Sequence, residues 1–150
     1  MPLREMIDEI PMFERFSEEE KTMLAGMDHS LLEFTKDDMI IKEGDDSTSL
    51  YMLIKGTSLI TKTTDDANIR LSKLNPGEIF GEMSAFSKKP RQSNVVANDD
   101  VLVLKMDDDF FQKVNPDIKD KIKDYLIELL IDRLDNMNDA IMRISRLMRG

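Results

Sequence analysis

Between Leu31 and Met106 the apolar residues come in runs too short for stable helices: Leu31 to Phe34, Met39 to Ile41, Leu50 to Ile54, Leu59 to Thr63, Ile69 to Leu74, Asn94 to Ala97 and Val101 to Met106. Turn-forming clusters separate them: Thr35-Lys36-Asp37-Asp38, Gly44-Asp45-Asp46-Ser47, Lys55-Gly56, Thr64-Asp65-Asp66-Ala67-Asn68, Asn75-Pro76-Gly77 and Asn98-Asp99-Asp100. Short, regularly punctuated strands of this kind predict an antiparallel sandwich or barrel. Everything else in the chain has to be arranged around that β region.

The flanks read as helical. Met6 to Ile10 predicts a short helix stopped before Pro11, because the residue preceding a proline is pushed out of helical geometry. Ser17 with Glu20 forms a capping-box pattern and opens a helix expected to end near Gly26. After the strands, Asp107, Asp108 and Asp109 suit a helix N-terminus, where carboxylates meet unpaired N–H groups, and predict a short helix over Phe110 to Val114. Asn115 then reads as an N-cap and Pro116 as the first residue of a long helix reaching about Met148.

Along the distal half of that helix Leu130, Leu134, Met137, Ile141, Ile144 and Met148 alternate in steps of four and three. Such a heptad seam fits a two-helix contact between protomers, hence a homodimer. A helix lying on its own barrel needs a similar stripe, so both arrangements stay open here.

With 150 residues, 41% of them apolar, the chain suffices for one cored domain plus an appendage. The expectation is a single domain over 1–150: a helical segment over 1–30, the β region over 31–106 and helices over 107–150. A formal net charge of −9 disfavours non-specific attraction to nucleic acid or anionic membrane, so any bound anion needs a local cationic patch. The absence of cysteine excludes disulfides, thiolate metal sites and cysteine nucleophiles. His29 is the one histidine, which speaks against a metal centre of the cupin type. The aspartate runs lack the alternating ligands and central glycine of a calcium loop and read as caps and turns.

No nucleophile and base constellation is present, so no enzymatic activity and no cofactor are expected. The N-terminus lacks the apolar core of a signal peptide, and the most apolar run, Tyr125 to Ile131, is interrupted by Glu128. A cytoplasmic protein with no membrane span is the expectation.

The cationic patch lies between Pro76 and Ala97. Ser87 to Ser93 holds Lys88, Lys89 and Arg91 and no acid. Gly81 leaves room for close backbone approach, and Met83-Ser84-Ala85-Phe86 fits one helical turn whose free N–H groups face an anion. Arg91 offers a planar fork of donors matching two phosphate oxygens. Glu82 is the odd member. It either pairs with Arg91 on a loop surface or faces a hydroxyl of a ligand that also carries a phosphate, and side-chain chemistry leaves both open.

Phe80-Gly81-Glu82-Met83-Ser84-Ala85-Phe86, followed by Pro90-Arg91-Gln92-Ser93-Asn94-Val95-Val96-Ala97, closely resembles the phosphate-binding cassette of the cyclic nucleotide-binding domain family, including its nine-residue step from Glu to Arg. Ile10-Pro11-Met12-Phe13 resembles the family's N-terminal helical lead-in. Ile41-Lys42-Glu43-Gly44-Asp45 and Leu50-Tyr51-Met52-Leu53-Ile54-Lys55-Gly56 resemble its two glycine-marked strand ends. The resemblance covers about residues 10 to 148 and extends to bacterial catabolite activators and to the regulatory subunits of cyclic-nucleotide-dependent kinases.

It implies a mainly β fold, an eight-stranded antiparallel β-roll of the jelly-roll type with short N-terminal helices and a long C-terminal helix. It also implies cyclic AMP or cyclic GMP as ligand. The phosphate would be held by Arg91, by the backbone around Ser84 and by Gln92, and the ribose by Glu82 and Gly81. Leu71, Phe80, Met83 and Val95 would line the walls, and Arg133, Met137 and Asn138 on the last helix would face the base.

Many family members have Ala or Thr after the arginine where this chain has Gln92. Cyclic AMP is preferred because the threonine that favours guanine is absent. Asn94 is unusual for a position on a barrel strand, though an edge or ligand-facing site would tolerate it. Related bacterial regulators continue into a DNA-reading helix-turn-helix. This sequence stops at Gly150, which implies action through a partner protein, or a regulatory subunit or fragment, without direct nucleic-acid contact. The alternative is a β-roll interaction or dimerisation module that has lost nucleotide binding, and Gln92 keeps it open.

Overall fold

The computed structural model describes residues 3–82 and 88–149. The chain divides into two compact units, Met1–Val114 and Asn115–Gly150.

The first unit opens with helix α1 (Leu3–Asp8), a 3-10 turn (Pro11–Arg15), helix α2 (Glu18–Ala25) and a second 3-10 turn (Asp28–Ser30). Helix α1 begins earlier and stops sooner than the apolar pattern of Met6 to Ile10 predicts. The reason is Pro11, which starts a separate 3-10 turn while Ile10 before it is extended at ψ 122°. The capping box of α2 is present as predicted: Glu20 N–H donates to Ser17 Oγ at 3.2 Å, and Ser17 N–H donates to Glu20 Oε1 at 2.8 Å.

Eight strands follow among the described residues: β1 (Leu31–Phe34), β2 (Met39–Ile41), β3 (Leu50–Lys55), β4 (Ser58–Thr64), β5 (Ala67–Leu74), β6 (Ile79–Phe80), β7 (Asn94–Ala97) and β8 (Val101–Met106). They form two four-stranded sheets, ordered β1-β8-β3-β6 and β2-β7-β4-β5, with every pairing antiparallel. This is the eight-stranded β-roll. Seven of the strands coincide with the apolar runs. β6 escapes pattern reading because its two residues are too few to show a period. The β4–β5 turn is tighter than the polar cluster predicts, since the strands pair as far as Thr64 and Ala67 and leave only Asp65 and Asp66 between them.

The core lies between the sheets. Tyr51, Leu53, Phe80, Val101 and Val103 from one sheet pack with Ile41, Leu74, Val95 and Ala97 from the other. Leu53 and Val103 are fully buried, and truncating such a leucine to alanine typically costs about 2–5 kcal/mol. At the β3–β4 turn Gly56 adopts φ +83°, and a Cβ there would meet Asp100 O at 2.3 Å, so the turn admits only glycine.

Helix α3 (Asp108–Lys113) closes the first unit, with Asp107 Oδ1 accepting the Phe110 N–H at 2.9 Å. The second unit is helix α4 (Pro116–Arg149). Asn115 Oδ1 accepts the Ile118 N–H at 2.9 Å, so the cap and the proline stand where the sequence places them. Ile118, Ile122 and Leu126 are buried, whereas Leu134, Met137, Ile141, Ile144 and Met148 are 56–84% exposed and Leu130 is half-buried. Among the described residues no helix is long and apolar enough to cross a membrane, and no cluster of His, Cys, Asp or Glu is placed to hold a metal.

Candidate functional site

Arg91 stands at the centre of the site. It lies just ahead of β7, and its backbone is clamped by the turn that follows β2: Arg91 N–H donates to Asp45 O, and Gly44 N–H donates to Arg91 O, both at 2.8 Å. Its side chain is turned inward and only 4% exposed. Nη1 donates to Gly81 O at 2.8 Å and Nη2 to Ser49 O at 2.7 Å. The guanidinium lies 6.0 Å from the centroid of the Tyr51 ring, which itself stacks on Phe80 at 5.3 Å.

Gly81 makes this packing possible. Its φ is +82°, and a Cβ would approach Arg91 Nη1 to 2.8 Å and Ser49 O to 3.0 Å. Glycine is therefore needed both for the backbone angle and for the space the guanidinium occupies.

Electrostatically the site is suited to an anion. Burial pushes the Arg91 pKa down, against the opposing influence of Tyr51, Asp45 and Glu82. The guanidinium remains charged regardless, so a positive charge is held in a largely buried position. Its Nε–H has no hydrogen-bond partner among the described residues, and each terminal nitrogen retains a second N–H. Burial likewise raises the Tyr51 hydroxyl, with Arg91 acting in the opposite sense. The surface pairing of Glu82 with Arg91 considered from sequence does not describe Arg91, which is buried; Glu82 is half-buried.

The remaining expected site residues fall in different places. Phe80 and Val95 are buried in the core between the sheets. Leu71 is 55% exposed, at the point on β5 where the pairing register with β4 shifts between Ile60 and Thr61. Such a bulge re-aims the side chain it carries. Gln92 is exposed, and its carbonyl accepts from Lys62 Nζ at 2.7 Å. Met83 and Ser84, with the helical turn expected over Met83-Ser84-Ala85-Phe86, lie outside the described residues. Arg133, Met137 and Asn138 belong to α4, Arg133 half-buried and the other two exposed.

Of the two settings that would tolerate Asn94, an edge does not apply. β7 is an interior strand between β2 and β4, not an edge. The Asn94 amide is taken up by protein groups: Oδ1 accepts Glu43 N–H at 2.8 Å and Nδ2 donates to Thr63 Oγ1 at 3.1 Å. Sequence reasoning also missed Tyr51 and Ser49. Nothing marks Ser49, which contributes only its carbonyl, and Tyr51 sits in a run of buried residues that reads simply as core. For Asn94 there was a signal, a lone amide at the head of an apolar strand.

The sequence profile of the cyclic nucleotide-binding domain matches residues 31–115, more than half of the chain, and the chain belongs to that family. It is 30% identical over 100 residues to the cAMP-dependent protein kinase type II regulatory subunit of Drosophila melanogaster, covering 67% of this chain and 26% of that protein. It is 32% identical over 83 residues to cGMP-dependent protein kinase 2 of Homo sapiens, covering 53% of this chain and 11% of the relative. The chain thus spans about a quarter or less of the length of these curated relatives. The crystal structure of the Thermus thermophilus catabolite activator protein matches with a TM-score of 0.71 over 90% of this chain and 63% of that one; at 23% identity the likeness is one of fold.

Proposed function

We propose that this chain is a sensor domain for a cyclic nucleotide, with cyclic AMP preferred over cyclic GMP. The observation that carries the reading is the buried Arg91 guanidinium, held by the carbonyls of Gly81 and Ser49 and with an Nε–H that has no partner among the described residues. A cyclic phosphate is an acceptor that matches this guanidinium, whose plane the carbonyls of Gly81 and Ser49 fix. Glu82 takes the ribose 2′-hydroxyl together with Gly81, and the backbone around Ser84 and the Gln92 side chain complete the phosphate site. Phe80, Met83, Val95 and Leu71 form its walls, and Arg133, Met137 and Asn138 of the last helix meet the base.

The domain binds and regulates and does not catalyse. Its relatives include a regulatory subunit named for cyclic AMP and a kinase named for cyclic GMP, so the choice of base is this chain's own matter. The preference for cyclic AMP is supported by Gln92 standing where a threonine favours guanine. The exposed position of Gln92 supports nucleotide binding over the non-binding interaction module. Output passes through the C-terminal helix, whose exposed apolar seam fits a second copy of the chain. The domain 1–150 then acts as one unit on an effector protein, without touching nucleic acid, in the cytoplasm. Ligand binding biases two arrangements of that helix only to the extent that the nucleotide binds them unequally.

Titration calorimetry with both nucleotides is the test. Saturable heat, larger in affinity for cyclic AMP, is the expected result; no heat with either at roughly millimolar concentration overturns the reading.

A further inference from the structure

We infer that Asn94 is a positioning residue for the anion-binding arginine, acting on Arg91 through the Glu43-Gly44-Asp45 turn; the inference deepens the nucleotide-binding reading and rests on it. β7 otherwise carries Val95, Val96 and Ala97, and an amide buried at the head of such a strand costs free energy unless both its ends are bonded. Asn94 is 4% exposed and both ends are bonded.

The bond to Glu43 N–H stands where the sheet ladder has lapsed. β2 ends at Ile41, opposite Val95. Direct backbone bonding resumes only at Arg91, which donates to Asp45 O and accepts from Gly44 N–H. Between these points the Asn94 carboxamide oxygen replaces the strand carbonyl that Glu43 N–H would otherwise lack. The same turn is tied to β4, since Glu43 Oε1 accepts from Thr63 N–H at 3.2 Å and Thr63 Oγ1 accepts from Asn94 Nδ2.

Asn94 thus fixes Glu43, Glu43 leads directly into the two residues that clamp the Arg91 backbone, and that clamp sets where the guanidinium meets Gly81 O and Ser49 O. Substituting leucine keeps the side-chain bulk and removes the acceptor. The turn is then free to shift, and Arg91 shifts with it.

Amide hydrogen exchange of the free protein reads the first half of this chain of contacts. In Asn94→Leu the Glu43, Gly44 and Arg91 amides should exchange about tenfold faster while those of the β3–β8 ladder stay unchanged. Asn94→Asp, which keeps the acceptor, should leave Glu43 protected. A double-mutant cycle reads the second half: Asn94→Leu should weaken cyclic AMP binding about tenfold in the native background and not at all on top of Arg91→Ala. If Asn94→Leu does not fold, Asn94→Ser, whose hydroxyl is too short to reach the Glu43 N–H, takes its place in both measurements. Unchanged exchange at Gly44 and Arg91, or the same loss of affinity with and without Arg91, overturns the inference. If the native protein binds neither nucleotide, the functional reading fails while exchange still decides whether Asn94 positions Arg91.

Discussion

Arg91 is expensive to bury, and the contacts that hold it are of unequal kinds. Two backbone carbonyls set its orientation, an aromatic face covers it, and its Nε–H is left without a partner among the described residues. Replacing it with alanine should weaken cyclic AMP binding by about 2–4 kcal/mol, because a phosphate loses its charged partner in a largely desolvated site. Calorimetry checks this, and an unchanged affinity means that the phosphate sits elsewhere. The importance of Arg91 was legible in the sequence, through a run of three cations without an acid in an acidic chain and through the cassette around it. Its inward orientation was not, because Ser49 and Tyr51 are 42 and 40 positions away and meet it only through the packing of one sheet against the other.

Among the elements, the helices before the roll are joined by an exposed charge network in which Asp8 accepts from Lys21 Nζ at 3.0 Å and from Arg4, while Arg4 also pairs with Glu18. The hydrogen bonds from Lys21 and then Arg4 hold the Asp8 carboxyl below its ordinary range. A carboxyl depressed in the folded state contributes stability above its unfolded value of about 4, and that contribution is lost as the pH falls through the lower folded value. Asp8→Asn should therefore lower the urea midpoint slightly at neutral pH, the effect being small because the pair is open to water. The difference from the native protein should close on acidification; a gap independent of pH would show that the carboxylate is not its source. At this scale the sequence was most informative. The capping box at Ser17 and the caps at Asp107 and Asn115 depend only on residues three apart, whereas two-residue β6 exists only because β3 is there to pair with it.

For the whole molecule, the distal part of α4 leaves Leu134, Met137, Ile141, Ile144 and Met148 exposed along one seam. The proposed homodimer predicts a sedimentation coefficient that falls with dilution, and Ile141→Glu should shift the chain to monomer without changing its helicity, since a charge in the seam is desolvated only on association. Monomer behaviour of the native chain, with and without nucleotide, would remove the dimer. What the sequence by itself determined is local: the strand runs and their turns, the helix caps, the period of the seam, and a cassette sufficient to imply the β-roll and its family. What only the tertiary structure decided is how residues far apart in the chain meet. It turned Asn94 from an oddity into the acceptor for Glu43, put Tyr51 and Ser49 around Arg91, and made β7 an interior strand. The physical reason is that caps and periods are set by neighbours along the chain, whereas register between strands is set by burying both sheets at once, and a sequence read in order shows only the first.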